Sequence, residues 1–390
     1  MKVFKYLPII TFILILAVVS VISFVKPETE FSMTENRMLE TKPEPDFGDI
    51  LSGDYQETYE AYLNDQFIFR DRFVDIAVEA MKFTGKKDVN GIYLGKKGYL
   101  LEKYTESDFS SEQTENNCSL LADAVNALAK EYGKEHVTCM MIPGKANVLT
   151  ESMPDYAKGY DEQKIIDSIR DMLTEPQVLV DATEVLKQHQ QEYIYYRTDH
   201  HWTTLGAYYG YTALANRMDY EAKSLEDYER QVVSDTFYGT GYNKSHQKVE
   251  PDTVELFLPT ENPVLSVDFN DGEKVTDSCY LPEEIAEETD KYRIFFGGNT
   301  AKIDIRTQTD TGRTLVILKD SYANSLVPFL TCEFDRIIML DLRYTSDLLP
   351  ELLEEYTDVT DILVMYNVEK FLQDTKMDLL DMEIAEGEEE

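Results

Sequence analysis

The chain has 390 residues, of which 43% are hydrophobic and 12% aromatic, so it is long enough for one large folded domain or two smaller ones. Its formal net charge is −37 at pH 7, which argues against nucleic acid or anionic lipid as a partner of the folded surface, because charges of the same sign repel. An acidic surface keeps a protein soluble and would also attract cations at a cell wall, and the charge alone does not separate these interpretations.

The first element is an apolar run over residues 7–25, preceded by Lys2 and Lys5. The run has the length of a membrane-spanning helix, and lysines before it favour a cytoplasmic N-terminus. We therefore predict that residues 1–26 are a transmembrane anchor, with a cleaved signal segment as the alternative. Either interpretation places the rest of the chain outside the cytoplasm, on a single-pass membrane protein or on a secreted one.

Residues 27–109 are expected to form a juxtamembrane region that starts with a linker, since Pro43 and Pro45 interrupt a polar stretch. Apolar and charged residues at helical spacing predict one helix over residues 55–81. A Lys97-Gly98 turn between two runs of strand-forming residues predicts a hairpin over residues 90–101.

From residue 110 to residue 382, expected helices alternate with expected strands. Helices are predicted near residues 110–133, 164–173, 207–218, 323–331 and 346–355, and strands near residues 136–143, 177–181, 314–318, 336–341 and 361–366. This alternation predicts an α/β domain with a mostly parallel sheet flanked by helices. Residues from about 221 to 313 carry many turns and acidic clusters, which indicates an inserted β-rich or irregular region. The acidic tail, residues 383–390, is predicted to be disordered.

Two smaller features of this domain are open to test. Ser110 with Gln113 suits a capping box at the start of the first helix, and Gly133 suits its end. The four cysteines, Cys118, Cys139, Cys279 and Cys332, form no CxxC pair, so a zinc knuckle or a redox motif is not expected. They are compatible with one or two disulfides or with buried free thiols.

Ser321 follows the apolar run 315–318 and precedes an expected helix. A hydroxyl on such a strand-to-helix turn lies at the carboxyl edge of the sheet, where open α/β folds bind ligands. The helix N-terminus also offers backbone N–H groups to a developing oxyanion. The alternative is that Ser321 only caps the helix.

Asp199 and His201 lie in the segment 198–207, which also holds the single tryptophan of the chain. Residues two apart in an extended chain point the same way, so Asp199 would hold His201 Nδ1–H and leave Nε2 as a base. Together with Ser321 they supply the nucleophile, base and orienting carboxylate of a serine acyl-transfer centre. His200 is expected to face away from His201 and to pack or bond structurally. The alternatives are a solvated loop or a metal site, but no further ligands at suitable spacing are obvious, so we expect no metal.

The block Asp199-His200-His201-Trp202 resembles the signature of the DHHW protein family, which is similar to the alginate O-acetyltransferases of the AlgX and AlgJ type. Shorter blocks follow in the order that the family has, and the resemblance covers nearly the whole chain after the N-terminal run. These blocks are 35–37, 65–71, 91–95, 141–143 and 319–325. The resemblance implies an SGNH-hydrolase-like fold.

Carried onto this chain, the family pattern implies that Ser321 is the nucleophile, His201 the base and Asp199 the orienting carboxylate. Lys319 stands where ordinary SGNH hydrolases have glycine, so the oxyanion donors are open. The candidate donors are the Ser321 backbone N–H, Gly239 within residues 237–240, and Asn367. Tyr322 and Asn324 are further candidates for substrate binding.

The function implied by the resemblance is an extracytoplasmic O-acetyltransferase that moves an acyl group to a cell-surface or exported polysaccharide through an acyl-serine. The donor would be relayed by a membrane-bound O-acyltransferase partner, and no cofactor is expected. The 26 tyrosines would suit stacking on sugar rings or simply fill a large core. Two other functions remain open, a carbohydrate acetyl esterase and a non-catalytic glycan-binding or scaffold subunit.

Overall fold

A computed structural model describes residues 6–29, 31–32, 37–155, 157, 159–286 and 288–382. Backbone contacts divide the chain into two compact units, one of Met1–Asn90 with Tyr242–Lys248 and the other of Gly91–Gly241 with Val249–Glu390. The expected disorder of residues 383–390 lies outside the described residues.

The first unit is mainly helical. Its elements are α1 (Leu7–Val25), β1 (Phe31–Ser32), β2 (Arg37–Met38), α2 (Phe47–Ser52), α3 (Asp54–Asp65), α4 (Arg70–Phe83) and β3 (Asp88–Val89). Residues 7–25 are helical as predicted, but among the described residues no helix combines the length and the apolarity that crossing a membrane requires. The single helix predicted over residues 55–81 is wrong, because Phe69 adopts a left-handed backbone (φ 58°) that separates α3 from α4.

The second unit carries the large sheet. Its strands are β4 (Ile92–Leu94), β5 (Leu100–Glu102), β6 (Val137–Ile142), β7 (Leu179–Asp181), β8 (Tyr228–Phe237), β9 (Asp252–Pro259), β10 (Val264–Phe269), β11 (Lys274–Thr276), β12 (Lys302–Thr307), β13 (Thr314–Lys319), β14 (Arg336–Leu340) and β15 (Asp361–Asn367). Its helices are α5 (Glu106–Phe109), α6 (Glu112–Tyr132), α7 (Lys145–Val148), α8 (Gln163–Met172), α9 (Thr183–Gln188), α10 (Thr204–Ala215), α12 (Ala323–Leu330), α13 (Leu349–Glu354) and α14 (Val368–Gln373), while α11 (Thr240–Ser245) begins in this unit and ends in the first.

Eight strands form the main sheet in the order β11-β10-β12-β14-β13-β15-β6-β7. The strands from β14 to β7 run parallel, and β12, β10 and β11 extend the sheet in antiparallel pairing. The predicted mostly parallel α/β sheet is therefore confirmed. Residues 221–313, predicted to be an inserted β-rich or irregular region, are rich in strands. They supply these three edge strands, of which β12 pairs with β14, and the separate β8–β9 ribbon.

Both faces of the central parallel strands β13, β15 and β6 are buried, and alternate side chains of each strand contact opposite faces. Ile317 of β13 packs into a core that includes α10 and α12 residues, whereas Val316 and Leu318 pack into one that includes α6 and α8 residues. Such continuous apolar strands are typical of parallel sheets covered by helices on both sides. The covered sheet gives the residues at its carboxyl edge a rigid support.

The structure tests three smaller predictions, for the ends of one helix, for a hairpin and for the cysteines. The helix α6 ends at Gly133 as predicted, but its N-cap is Ser111, whose side chain accepts from the Thr114 N–H, not Ser110. The hairpin at residues 90–101 is present as β4 and β5. The four cysteines are free thiols, and three of them are buried in the core.

Candidate active site

Ser321 lies on the turn between β13 and α12, at the carboxyl edge of the sheet. The six residues of β13 are all buried, and the chain then turns through residues 320–322 into α12. The carboxylate of Asp320 holds this turn by accepting the N–H of Tyr322 (2.8 Å) and the N–H of Asn367 (2.7 Å). Tyr322 occupies the N-cap position of α12 without a side-chain cap bond, so Ser321 does not serve as the helix cap.

His201 lies in a tight loop that closes between residues 194 and 203. The loop is fastened by backbone bonds from Tyr196 N to His201 O and from Thr203 N to Ile194 O. Within it the His201 N–H donates to Asp199 Oδ1 (3.0 Å), a local bond that bends the chain. The expected extended geometry is therefore wrong, although the bend still brings Asp199 and His201 together.

Three side chains form a continuous hydrogen-bonded series. His201 Nδ1 lies 2.6 Å from Asp199 Oδ1, and His201 Nε2 lies 2.7 Å from Ser321 Oγ. A carboxylate only accepts, so Nδ1 carries the imidazole proton and Nε2 accepts the Ser321 hydroxyl proton. The predicted proximity of Ser321 and His201 across 120 positions is thus present, with Asp199 behind the imidazole. His201 and Ser321 are 7% and 8% exposed, so a small part of each residue is accessible.

The Asp199 carboxylate is fully engaged. Its Oδ2 accepts from the Thr240 N–H (2.9 Å) and from the Thr240 hydroxyl (3.1 Å). Burial acts to raise the pKa of Asp199, but His200, His201 and these hydrogen bonds outweigh it and hold the pKa well below its usual value. Asp199 is therefore ionised whenever the protein is folded near neutral pH.

His200 touches the series through Thr240. Its ring lies 3.9 Å from the His201 ring, so the expectation that it faces away is wrong. His200 Nδ1 is 2.7 Å from Thr240 Oγ1, and since that hydroxyl donates to Asp199, Nδ1 must carry the proton. Burial and the neighbouring His201 keep the pKa of His200 well below its usual value. The sequence offered Thr240 only within the segment 237–240 of candidate oxyanion donors, and its bond to Asp199 was not predicted.

We expect Thr240→Val to lower kcat of the proposed acyl transfer about tenfold with little change in KM, because it removes one hydrogen bond to a charged group. Steady-state kinetics on a chromogenic acetyl ester measure the effect. Thr240→Ser keeps the hydroxyl and is the matched control. Equal losses in both variants would contradict this role for the hydroxyl.

Tyr292 also contributes to the site, and the sequence did not predict it. Its ring stacks on the His201 ring with 3.8 Å between centroids and 8° between planes. Its hydroxyl donates to the Ser321 carbonyl (2.9 Å) and bonds Ser325 Oγ (3.0 Å). Tyr292 therefore holds both the imidazole and the turn that carries the nucleophile, from a segment with no pattern that points to a site.

Trp202 and Lys145 hold the histidine loop. The buried Trp202 indole donates to the Tyr322 carbonyl (3.1 Å) and to Ser325 Oγ (2.9 Å), which ties the loop to the turn after β13. Lys145 donates from inside the protein to the carbonyls of Tyr196 (2.9 Å) and Asp199 (2.7 Å), and burial lowers the pKa of this ammonium to about 8.

Two of the predicted oxyanion donors are occupied. The Gly239 N–H donates to Thr198 Oγ1 (3.0 Å), and a Cβ at Gly239 would lie 2.2 Å from the Cβ of Asp199. Gly239 therefore lets the chain approach Asp199 closely. The Asn367 amide donates to the Ile142 carbonyl (3.1 Å) and its oxygen caps α14. Both residues support the site, and neither offers a donor to a ligand.

Tyr322 and Asn324 are also engaged inside the protein. The Tyr322 hydroxyl donates to the His200 carbonyl (2.6 Å). Asn324 accepts from Lys319 Nζ (2.9 Å) and donates to Asn299 (3.0 Å). The buried Lys319, which replaces the usual glycine, is held by these amides and by Asp341 (3.3 Å). The Ser321 N–H makes no hydrogen bond with the described residues, so it is the predicted donor that is free for an oxyanion.

The group Asp199, His200 and His201 also offers three ligand atoms within 4.8 Å of one another. The 2.6 Å bond from Asp199 to His201 is too short for an ion between them, since two ligands of one zinc ion stand more than about 3 Å apart. The remaining atoms of Asp199 and His201 bond Thr240 and Ser321. The hydrogen bonding fits acyl transfer better than metal binding.

A buried carboxyl pair lies near the same edge of the sheet. Glu162 accepts from the Gly144 N–H (2.7 Å) and bonds Glu369, which stands in the first turn of α14. Burial raises the pKa of Glu162 to about 7, and burial together with Glu162 raises that of Glu369 further. One carboxyl must hold a proton for the pair to bond.

Glu162→Gln is expected to flatten the pH dependence of stability. The folded pKa of Glu162 lies above its usual 4.5, so its contribution is present below pH 4.5 and lost as pH rises towards 7. Glutamine does not ionise, so this variant should not lose stability through position 162 as the pH rises. Urea midpoints measured between pH 4.5 and 7.5 test this, with the exposed Glu261→Gln as control. Parallel curves for Glu162→Gln and the parent would contradict it.

Comparison with known proteins identifies the family to which the chain is similar. The model of the family described as DHHW protein matches residues 99–340, and no curated protein matches in sequence. A crystal structure of a DHHW family protein from Eubacterium siraeum is similar with 25% identity and a TM-score of 0.61, covering 75% of this chain and 95% of that one. PatB1 from Bacillus cereus, solved with a sulfonyl adduct, is similar with 20% identity and a TM-score of 0.59, covering 74% and 96%.

The O-acetyltransferase domain of Pseudomonas putida AlgJ shares 13% identity over 75% of this chain and 96% of that domain, with a TM-score of 0.44, which is too low to support an inference. PatB1 supports the fold alone. The family model, in contrast, spans more than half of the sequence and includes Asp199, His201 and Ser321. On that match, the chain belongs to the DHHW protein family.

Proposed function

We propose that this protein is a serine-dependent O-acyltransferase that moves an acyl group, most simply acetyl, to a hydroxyl of a polysaccharide. The observation that carries the proposal is the hydrogen-bonded series from Asp199 through His201 to Ser321. A hydroxyl, an imidazole with a free acceptor nitrogen and an ionised carboxylate are the parts that nucleophilic acyl transfer needs. The fold and the family are compatible with this chemistry.

The proposed reaction has two balanced steps. Ser321 Oγ attacks the acyl carbon of an ester donor while its proton moves to His201 Nε2, and the donor C–O bond breaks as His201 returns that proton to the leaving oxygen. An acceptor hydroxyl then gives its proton to His201 and attacks the acyl-serine, and Ser321 Oγ recovers the proton. Asp199 stabilises the imidazolium in both steps, and the Ser321 N–H is positioned to stabilise the oxyanion.

Support for a polysaccharide acceptor and for a membrane-bound O-acyltransferase as donor partner comes from the resemblance to alginate O-acetyltransferases, and both stay predictions. The location outside the cytoplasm, predicted from residues 7–25, also stays a prediction. An esterase is the second candidate, because water can replace the sugar hydroxyl in the second step of the same reaction.

A covalent probe tests the proposed nucleophile directly. A sulfonyl fluoride should modify Ser321 in the full chain, detected as an adduct on its peptide by mass spectrometry, and His201→Ala should slow this labelling strongly. Ser325→Ala, which removes a buried hydroxyl on the next helical turn, should still label. Absence of any adduct on Ser321 would favour a non-catalytic glycan-binding role.

Transfer and hydrolysis are then separated by the acceptor. The protein is incubated with a chromogenic acetyl ester in the presence of an oligosaccharide. A gain of acetyl mass by the oligosaccharide identifies a transferase, whereas acetate release without such a gain identifies an esterase.

A further inference from the structure

Two arginines near the histidine loop form no ion pair with the residues that the structure describes. The second unit contains nine arginines. Arg170, Arg293, Arg306, Arg313, Arg336 and Arg343 form ion pairs with carboxylates, and Arg217 donates to backbone carbonyls. The guanidinium groups of Arg197 and Arg230 form neither an ion pair nor a hydrogen bond with any described residue. In a chain with 74 acidic and 37 basic residues, unpaired arginines need a reason.

Both unpaired arginines line the same cavity. It has a volume of about 420 Å³, and its walls are formed by Tyr193, Arg197, Thr203, Thr204, Leu205, Arg230, Thr253 and Glu255. Arg197 stands two positions before Asp199 and Thr203 two positions after His201, so the histidine loop itself forms one wall. All eight lining residues belong to the second unit.

Aromatic rings hold the two guanidinium groups in place. The Arg197 guanidinium lies 4.6 Å from the centroid of the Tyr193 ring, and the Arg230 guanidinium lies 4.6 Å from that of Phe257. The face of an aromatic ring orients a guanidinium that stacks on it. The N–H groups at the edge of the guanidinium then stay available for hydrogen bonds. These edges match the paired oxygens of a carboxylate or phosphate.

The remaining lining groups suit the hydroxyls of a sugar. Thr204 donates its hydroxyl proton to the carbonyl of Glu255, so its oxygen can still accept. The Thr203 hydroxyl already donates to the carbonyl of Tyr193 and accepts from the Gly206 N–H. The carboxylate of Glu255 is an acceptor as well. Nearby, the carboxylate of Asp252 accepts the backbone N–H groups of Arg197 and Thr198 (2.7 Å each), and among the described residues it forms no ion pair with the Arg197 guanidinium.

We propose that this cavity, defined by Arg197 and Arg230, is a subsite for an anionic unit of the acceptor polysaccharide, bearing a carboxylate or a phosphodiester. The proposal deepens the proposed function and rests on it for the identity of the acceptor, but binding at the subsite does not require turnover. The subsite would place an acidic polymer along the loop that carries Asp199 and His201.

Binding by the Ser321→Ala protein tests the subsite separately from catalysis. Isothermal titration compares three probes: an oligogalacturonate, a glycerol-phosphate oligomer and a neutral cello-oligosaccharide of similar length. We expect an anionic probe to bind, and we expect Arg197→Gln and Arg230→Gln each to weaken it about tenfold, the effect of losing a charged hydrogen bond. Arg306→Gln, which removes an exposed arginine outside the cavity, should bind like the parent.

The possible results distinguish the two types of anionic group and show when the proposal fails. Selective binding of the galacturonate assigns a carboxylate, and selective binding of the phosphate oligomer assigns a phosphodiester. Equal binding of the neutral probe, binding that both arginine variants retain, or no binding of either anion would overturn the proposal. Arg230 is exposed, so its replacement keeps the test valid even where Arg197→Gln fails to fold. Labelling of Ser321 by a sulfonyl fluoride is unaffected by any of these results.

Discussion

Replacement of Ser321 by alanine is expected to reduce turnover of an acetyl ester by a factor of about 10⁴–10⁶, because the acyl-serine can no longer form. His201→Ala should cost a similar factor, since the hydroxyl then lacks its base at 2.7 Å. The double variant should be no slower than either single one, because residues that act as a unit lose their effect together. Burst and steady-state kinetics with a chromogenic acetyl ester measure all three.

Ser325→Ala provides the matched control for this series. Ser325 is buried one helical turn away and bonds Trp202 and Tyr292, but its hydroxyl lies outside the series from Asp199 to Ser321. It should lower the free energy of unfolding by about 1–3 kcal/mol through the unpaired groups it leaves, and keep most of the activity. Comparable turnover in Ser321→Ala and the parent would remove the basis of the proposed function.

Asp199→Asn is expected to have the second largest effect, a fall in kcat of about 10³–10⁴. The asparagine amide can donate to His201 Nδ1, which would move the imidazole proton to Nε2 and leave no acceptor for the Ser321 hydroxyl. Because the pKa of Asp199 is held well below its usual value, the parent should keep its carboxylate ionised far into the acid range. The pH–rate profile and the rate of sulfonylation of Ser321 measure these effects.

The control for the aspartate is its neighbour Thr240. Thr240→Val leaves the Asp199 carboxylate charged and removes one of the four hydrogen bonds that it accepts. The loss of kcat should therefore be smaller than that of Asp199→Asn by about two orders of magnitude. If Asp199→Asn retained kcat within tenfold of the parent, the carboxylate would not be orienting the base, and the loop would have a structural role only.

The sequence predicted those parts of the site that local patterns mark. The apolar run before Ser321 and the Asp-x-His spacing were sufficient because β13 is a fully buried strand and the histidine loop is closed by bonds within a few residues. The start of α10 was placed three residues too late, since Thr203 rather than a later residue caps it through the Gly206 N–H. Local sequence patterns predict such helices and strands correctly and are inaccurate only about where they begin and end.

The same local patterns did not predict contacts between segments that are distant in the sequence. Tyr292 meets His201 across 91 positions, from a short turn without periodicity, and Thr240 reaches Asp199 only because Gly239 has no side chain. For the edge strands β10–β12 the sequence indicated only a β-rich or irregular insertion, because turns and acidic residues separate them. Their place in the main sheet is evident only from the pairing of β12 with β14. Nothing in one segment records which distant segment will lie against it.

The indole of Trp202 joins two stretches of chain that are 120 residues apart, and the nucleophile and its base lie on opposite sides of that bridge. A partly synthesised or extended polypeptide therefore has an ordinary serine and an ordinary histidine, with no special reactivity. The proposed acyl transfer therefore requires that β13 and the histidine loop have already come together, so an unfolded or incomplete chain should not react.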